Sequence, residues 1–409
     1  MPEFTTVTTG RYGEVGVVEA SSARGEPDWL RERRAEGARA FAAAPQPTPA
    51  LRPWKYTDVT DLDIESFAPA EAAVTIEATV PAGGFAGSLA RAVEERAAIV
   101  REHLGALVTA TEGKFAAANA AQWEGGVLVH APAGVVFEQP VMVTVDAPAD
   151  GPTAVFPRLL VVAEERAEVS IALINHSGDG PLLVPGVAEI VAGRGARVRL
   201  VVDGRWGAAT QEFTTVRSRL ARDADVQMSS IAIGGRIVKQ TMEGLLEGEG
   251  ANSVIRTVAL GDGQQHFDFV TLQDHIGPHT TSDVQIKSAL AGASRSVYYG
   301  ITRVEETAAG AQANQQNRNL LLSAHAKADS DPVLEILTAD VIRCGHGATV
   351  GPVDEEALFY LQSRGLDYRA ALQLLVYGFF QSVAGDIPLP RGAEELYETV
   401  TAKLAAAEL

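Results

Sequence analysis

Arg166-Ala167-Glu168-Val169, Gly195-Ala196-Arg197-Val198 and Asp223-Ala224-Asp225-Val226 are three versions of one tetrad, and Gly250-Ala251-Asn252-Ser253-Val254 repeats it with one extra residue. Their valines stand 29, 28 and 28 positions apart. A fixed period of this size is the signature of a solenoid, in which each unit buries its apolar face only by stacking on the next. Around the tetrads the chain runs in short β-branched stretches, such as Val127-Leu128-Val129, Leu159-Leu160-Val161-Val162 and Val169-Ser170-Ile171, bounded by Gly, Pro, Asp and Asn. Helical 3.6-residue spacing is almost absent from them. Repeats built of strands predict a β-helix over residues 125–350. A sandwich of antiparallel hairpins would also give short strands and frequent turns, and Asp150-Gly151, Asp179-Gly180, Asp203-Gly204 and Asp262-Gly263 are its support. The near-constant period favours the solenoid.

The flanks differ in texture. Pro27-Asp28 opens a helical stretch, with Asp28 as the expected N-cap, that runs to Phe41 before Pro45, Pro47, Pro49 and Pro53 stop it; a second Ala/Glu-rich stretch covers about Ser88 to Trp123. Residues 1–124 therefore read as a mainly helical region. After residue 350, Asp354 is placed to cap a helix beginning Glu355-Glu356, and Asp367 a second one with Leu372, Leu375, Phe379 and Val383 on one stripe. Residues 351–409 form a C-terminal helical region ending in a short helix after Pro390.

Composition narrows the function. The 409 residues carry 34 Lys+Arg against 52 Asp+Glu, a formal net charge of −18. That balance repels nucleic acid and anionic membrane surfaces. No stretch approaches a membrane span, and no basic, apolar export leader opens the chain. One cysteine forms no internal disulfide, so a reducing compartment, the cytosol, is expected. G-x-x-x-x-G-K-[ST], H-E-x-x-H and G-x-S-x-G are all absent, which leaves ATPase, zincin and serine-hydrolase readings without an anchor. His275 and His279 have a metal-ligand spacing, but Gly277-Pro278 between them argues for a polar loop.

One concentration of chemistry stands between the last strand and the Asp354 helix: Cys344-Gly345-His346-Gly347-Ala348-Thr349-Val350-Gly351. A thiol and an imidazole two positions apart point to the same side of an extended backbone, and flanking glycines allow close approach. A small buried cysteine beside a capping histidine is the plainer reading of the same residues.

Longer motifs add to this. Ser323-Ala324-His325-Ala326-Lys327-Ala328-Asp329-Ser330-Asp331-Pro332, the Cys344–Gly351 block and Asp354-Glu355-Glu356-Ala357-Leu358-Phe359-Tyr360-Leu361 together resemble the SufB/SufD family of the SUF iron–sulfur cluster assembly machinery. His279–Asp283, Ser294–Gly300, Gln316–Ser323 and Trp54-Lys55-Tyr56-Thr57-Asp58 fit the same family. The resemblance implies a right-handed parallel β-helix between helical regions, and a non-catalytic scaffold subunit that pairs with SufB and binds the ATPase SufC. Asn317-Arg318-Asn319 stands where SufB carries a cysteine, and Gly347 follows His346 where SufB has Glu, so the likeness is to the SufD side. It also implies that Cys344 and His346 lie at the SufB interface where a nascent iron–sulfur cluster forms, with no cofactor held stably by this chain alone. Gly345 replaces the family's usual Ser. In the tail, Tyr377, Phe379 and Phe380 are the expected SufC contacts, and a homodimer is an expected substitute for the SufB pairing in isolation. The alternatives are a secreted-type β-helix enzyme acting on polysaccharide and a purely structural solenoid.

Overall fold

The computed structural model describes residues 10–385, 387 and 392–407. Its core is two parallel sheets facing each other, a parallel β-solenoid. One sheet has nine strands and runs from Ala73–Glu77 through Glu168–Ser177, Arg197–Arg205, Asp225–Ala232, Asn252–Gly261, Thr281–Leu290 and Ala311–Leu321 to Val341–Pro352. The other has eleven and ends in Thr210–Leu220, Ile237–Leu246, His266–His275, Arg295–Val304 and Lys327–Ile336. Strands nearest in space in either sheet are one full turn apart in sequence, so successive rungs stack as the period requires. Antiparallel pairing is confined to the N-terminal end, where Ala73–Glu77 and Phe85–Ser88 close the first rung.

The tetrad is the corner that starts each rung of the nine-stranded sheet. Its first residue takes a left-handed conformation in every copy: Arg166 at φ 56°, Gly195 at 65°, Asp223 at 57° and Gly250 at 71°. The second, Ala167, Ala196, Ala224 or Ala251, is wholly buried because the chain folds over it. The fourth residue faces the lumen. Register shows that the same corner recurs twice more, at His279-Thr280-Thr281-Ser282 and Gly310-Ala311-Gln312-Ala313, with φ of 56° and 71°. In the fourth copy Val226 pairs with Ser253 rather than Val254, so the extra residue does not lengthen the repeat. The lumenal column therefore reads Val169, Val198, Val226, Ser253, Ser282, Ala313 and, on the last strand, Cys344.

The flanking helices brace the outer faces. The helices α1 (Glu14–Ala23), α2 (Asp28–Ala43), α3 (Leu89–Glu95), α4 (Ala97–His103) and α5 (Lys114–Gln122) precede the solenoid, while α6 (Glu355–Ser363), α7 (Tyr368–Ala384) and α8 (Gly392–Ala406) follow it. Asp28 is the first helical residue, with Pro27 in the cap position, and α1 lies in sequence that composition left unassigned. Asp354 caps α6 by accepting from the Glu356 and Ala357 N–H groups, and Asp367 caps α7 through Ala370 N–H. The N-terminal region is anchored by Glu189, which accepts from the backbone N–H of Gly105, Leu107 and Val108 and pairs with Arg158 at 2.7 Å, both side chains of the pair being buried. α7 and α8 bury Leu372, Val376, Phe380, Val383, Val400 and Leu404 against Val201, Ile231, Val258, Leu260 and Ala289 on the outside of the nine-stranded sheet. Among the described residues no helix is long and apolar enough to cross a membrane.

Candidate functional site at the open end of the solenoid

Both sheets stop at the same end. Lys327–Ile336 and Val341–Pro352 are the terminal strands, each paired on one side only. Nothing described covers that end, so its apolar side chains meet solvent: Ile336, Leu337, Ile342 and Val350 are all exposed, Ile342 at 65%. A long exposed strand edge with apolar side chains is a template for another chain.

Alternation places the chemistry. Register sets Cys344 beside Ala313 and His346 beside Gln315, and both neighbours face the lumen. Cys344 and His346 therefore lie on the inner face of the terminal rung, two positions apart as a strand requires. His346 is exposed; Cys344 is half-buried and packs with Val304, Ala308, Ala311 and Val341. Burial pushes the thiol pKa up, an effect partly offset by a hydrogen bond with the Ala313 backbone. The thiol is thus the less available member, and the imidazole is the one presented. At Gly345 an added Cβ would meet no atom within 4 Å, so the missing hydroxymethyl is not dictated by packing.

Beneath the terminal rung the lumen turns polar. The earlier inward positions Leu200, Val202 and Met228 give way to Gln315, Asn317 and Asn319. Thr302 donates to Gln315 Oε1 at 3.0 Å, Gln315 Nε2 donates to the Gly300 carbonyl at 3.2 Å, and Asn319 donates to Asn317 Oδ1 at 2.7 Å. Asn319 Oδ1 and Ser330 Oγ are buried without a partner. Sequence reasoning missed this floor. Its signal was the alternation Gln315-x-Asn317-x-Asn319, three amides at period two.

The arrangement offers at most a two-ligand edge for a metal. Among the described residues no group of three or more His, Cys, Asp or Glu gathers to hold an ion. His275 and His279 are not brought together: His275 is buried in the lumen with Nδ1 and Nε2 each 2.8 Å from a hydroxyl, of Thr280 and Ser282, while His279 forms a corner.

The tail aromatics divide. Phe380 is only 1% exposed and packs into the sheet, so it is not a surface residue as the sequence reading required. Phe379 is half-buried beneath Lys287, whose ammonium lies 4.6 Å from the ring centroid and donates to the Phe379 carbonyl. Tyr377 is half-buried edge-on to Tyr397. The exposed apolar side chains of the helical tail include instead Phe359 (73%), Tyr360, Tyr368, Leu374 and Tyr397. The stripe Leu372, Leu375, Phe379, Val383 mixes both faces, since a solenoid wall beneath the helix takes up the side that isolated periodicity leaves open.

The chain is thus a β-solenoid, parallel but for its first rung, whose last rung carries Cys344 and His346 and is left uncovered by the described residues. Residues 144–379 match the family model for the SUF system FeS cluster assembly SufBD core domain. The chain belongs to the SufB/SufD family. It is 30% identical to iron–sulfur cluster assembly protein SufB of Bacillus subtilis over 311 residues, 74% of this chain and 65% of that protein. Against SufD of the same organism it is 26% identical over 418 aligned positions, 93% of this chain and 95% of that protein. An iron–sulfur cluster assembly SufBD family protein of Mycobacterium tuberculosis is 31% identical over 277 residues, covering 66% of this chain and 69% of that protein. The chain thus spans just under two-thirds of the length of the SufB relative.

Proposed function

We propose that this chain is a SufD-type scaffold subunit whose open solenoid end docks on a SufB-type partner, with His346 completing a site on which a nascent iron–sulfur cluster is assembled as cargo. The single observation that carries this reading is the exposed imidazole on the inward face of a terminal rung whose backbone edge and apolar side chains are uncovered. Imidazole is a competent iron ligand; thiolate is a stronger one, and the raised pKa of Cys344 gives it the secondary role until a partner or metal displaces its proton. Alignment with SufD over nearly the full length of both chains, with Asn317-Arg318-Asn319 at the position of the SufB cysteine, supports the SufD side.

SufC, the ATPase, would bind the helical tail. Phe359, Tyr360 and Leu374 are the exposed contacts for it, with Tyr377 and Phe379 at the margin and Phe380 supporting from beneath. The chain itself would turn over nothing, and a thiol-bearing scaffold of this kind suits the cytosol.

The test is co-purification with SufB and SufC followed by anaerobic reconstitution. His346→Ala is expected to leave the assembled complex intact and to lower iron and sulfide retained per complex several-fold. Undiminished retention would remove His346 from the site. In isolation the same edge is expected to pair with a second copy, read as a dimer mass by light scattering.

A further inference from the structure

A second cleft lies away from the open end. It measures about 760 Å³, and three stretches remote in sequence wall it: Tyr56, Thr57 and Asp58; the turns carrying Arg236 and Asp262–His266; and Ala406 of α8. That volume is in the range of small-molecule sites.

Its imidazole is held in one tautomer. Thr57 Oγ1 lies 2.8 Å from His266 Nε2, and the Thr57 hydroxyl also donates to Asp268 Oδ2, which receives Lys239 Nζ at 2.6 Å. Thr57, Asp268 and Lys239 are all buried. A hydroxyl has one proton, and here it goes to the carboxylate. His266 must therefore donate from Nε2, leaving Nδ1 as a lone-pair acceptor. Burial holds the ring's pKa down to about 4, so it is neutral under ordinary conditions. No described residue hydrogen-bonds to Nδ1.

Two of the charges around it are uncommitted, and a third is paired. Arg236 is exposed and has no ion pair among the described residues. Asp58 is exposed and bonds only to its neighbour Thr60. Asp262 lies 3.6 Å from Lys403, a loose pairing. With Asp262 answered by Lys403, the cleft keeps one unpaired cation, Arg236, and one unpaired anion, Asp58, so a simple anion or a simple cation would satisfy one and leave the other. A ligand with a carboxylate at one end and an ammonium at the other satisfies both, with hydrogen-bond donors left for the His266 acceptor.

We propose that this cleft binds a small zwitterion of the amino-acid or short-peptide class, its carboxylate on Arg236 and its ammonium on Asp58. This is independent of the cluster-assembly reading: it concerns other residues on another face.

Triglycine is the probe, titrated calorimetrically into the full chain beside N-acetyl-triglycine and triglycine amide. Saturable binding of triglycine is expected, with each blocked peptide at least about tenfold weaker. Arg236→Gln should weaken triglycine about tenfold yet leave triglycine amide unchanged, and Asp58→Asn should do the same for the acetylated peptide. Both side chains are exposed, so an unaltered melting temperature is the check that folding is intact. Absence of saturation by about 10 mM, equal binding of the blocked peptides, or indifference to Arg236→Gln would each overturn the proposal.

Discussion

His275 shows how one lumenal side chain makes stability depend on pH. Thr280 Oγ1 donates to the Gly277 carbonyl, so His275 must donate to it from Nδ1 and accept from Ser282 at Nε2. Both ring nitrogens are satisfied in the neutral form, and protonation would place a charge in the buried lumen. Burial lowers its pKa from 6.5 to about 4. Because the folded pKa lies below the unfolded one, the unfolded chain binds the extra proton first; stability is full above about pH 6.5 and falls as pH drops toward 4. By pH 5 this one group should cost about 2 kcal/mol, and His266, lowered in the same direction, should add to the decline. Urea midpoints at pH 7.5 and 5 measure the loss, and His275→Gln should remove its share of the slope. An unchanged slope in that variant would assign the decline elsewhere. The lumenal place of His275 was not legible beforehand, because its reading rested on spacing to His279, whereas strand alternation is what fixes its direction. Cys344 and His346 were legible as a same-side pair for that same reason, and a buried thiol was the plainer reading of the same residues; which side chains enclose it was not legible, since Val304 and Ala308 come from an earlier stretch of the chain.

The corner tetrad is the element on which the solenoid is built, and its stack alternates. Arg166, Asp223 and His279 carry side chains in the left-handed position, and the next rung in each case carries glycine: Gly195, Gly250 and Gly310. The side chain of one corner covers the glycine above it. A Cβ at Gly195 would touch only Arg166 Cγ at an ordinary 3.6 Å, whereas one at Gly310 would stand 2.5 Å from His279 Nδ1. Gly195→Ala should therefore cost only the left-handed backbone strain, about 1 kcal/mol. Gly310→Ala should cost that plus displacement of the ring, about 2–3 kcal/mol in total. Denaturant midpoints compare the two, and equal losses would refute the covering role of His279. The first copies of the corner could be read in sequence because Ala and Val recur at its second and fourth positions. The last two could not: once the lumen turns polar, Ser282 and Ala313 replace valine, and the spacing stretches to 31 residues between Ser282 and Ala313.

At the scale of the molecule, stacked rungs alone would make this a one-dimensional array in which the uncovered terminal rung frays first. The segment Arg52–Thr57 works against that by crossing five strands of the eleven-stranded sheet. Trp54 lies against Phe213 and beneath Lys239; Thr57 bonds Asp268; Arg295 stacks on Tyr56; Arg52 stacks on Tyr299 and lies 3.3 Å from Asp331. It thus ties Lys327–Ile336, at the open end, to strands three and four rungs further in. Trp54→Ala removes the ring contacts with Phe115 of α5, with Phe213 of Thr210–Leu220 and with Lys239 of Ile237–Leu246. In a nearest-neighbour stack, amide exchange should quicken in those two strands and leave the terminal one as it was. With the segment acting as a tie, losing its Trp54 anchor should also quicken exchange across Lys327–Ile336, which Trp54 does not touch. Peptide-resolved hydrogen exchange reads the difference directly. Faster exchange confined to residues 210–246 would mean that the open end is held by its own pairing alone, and that a docking partner meets an edge already free to open.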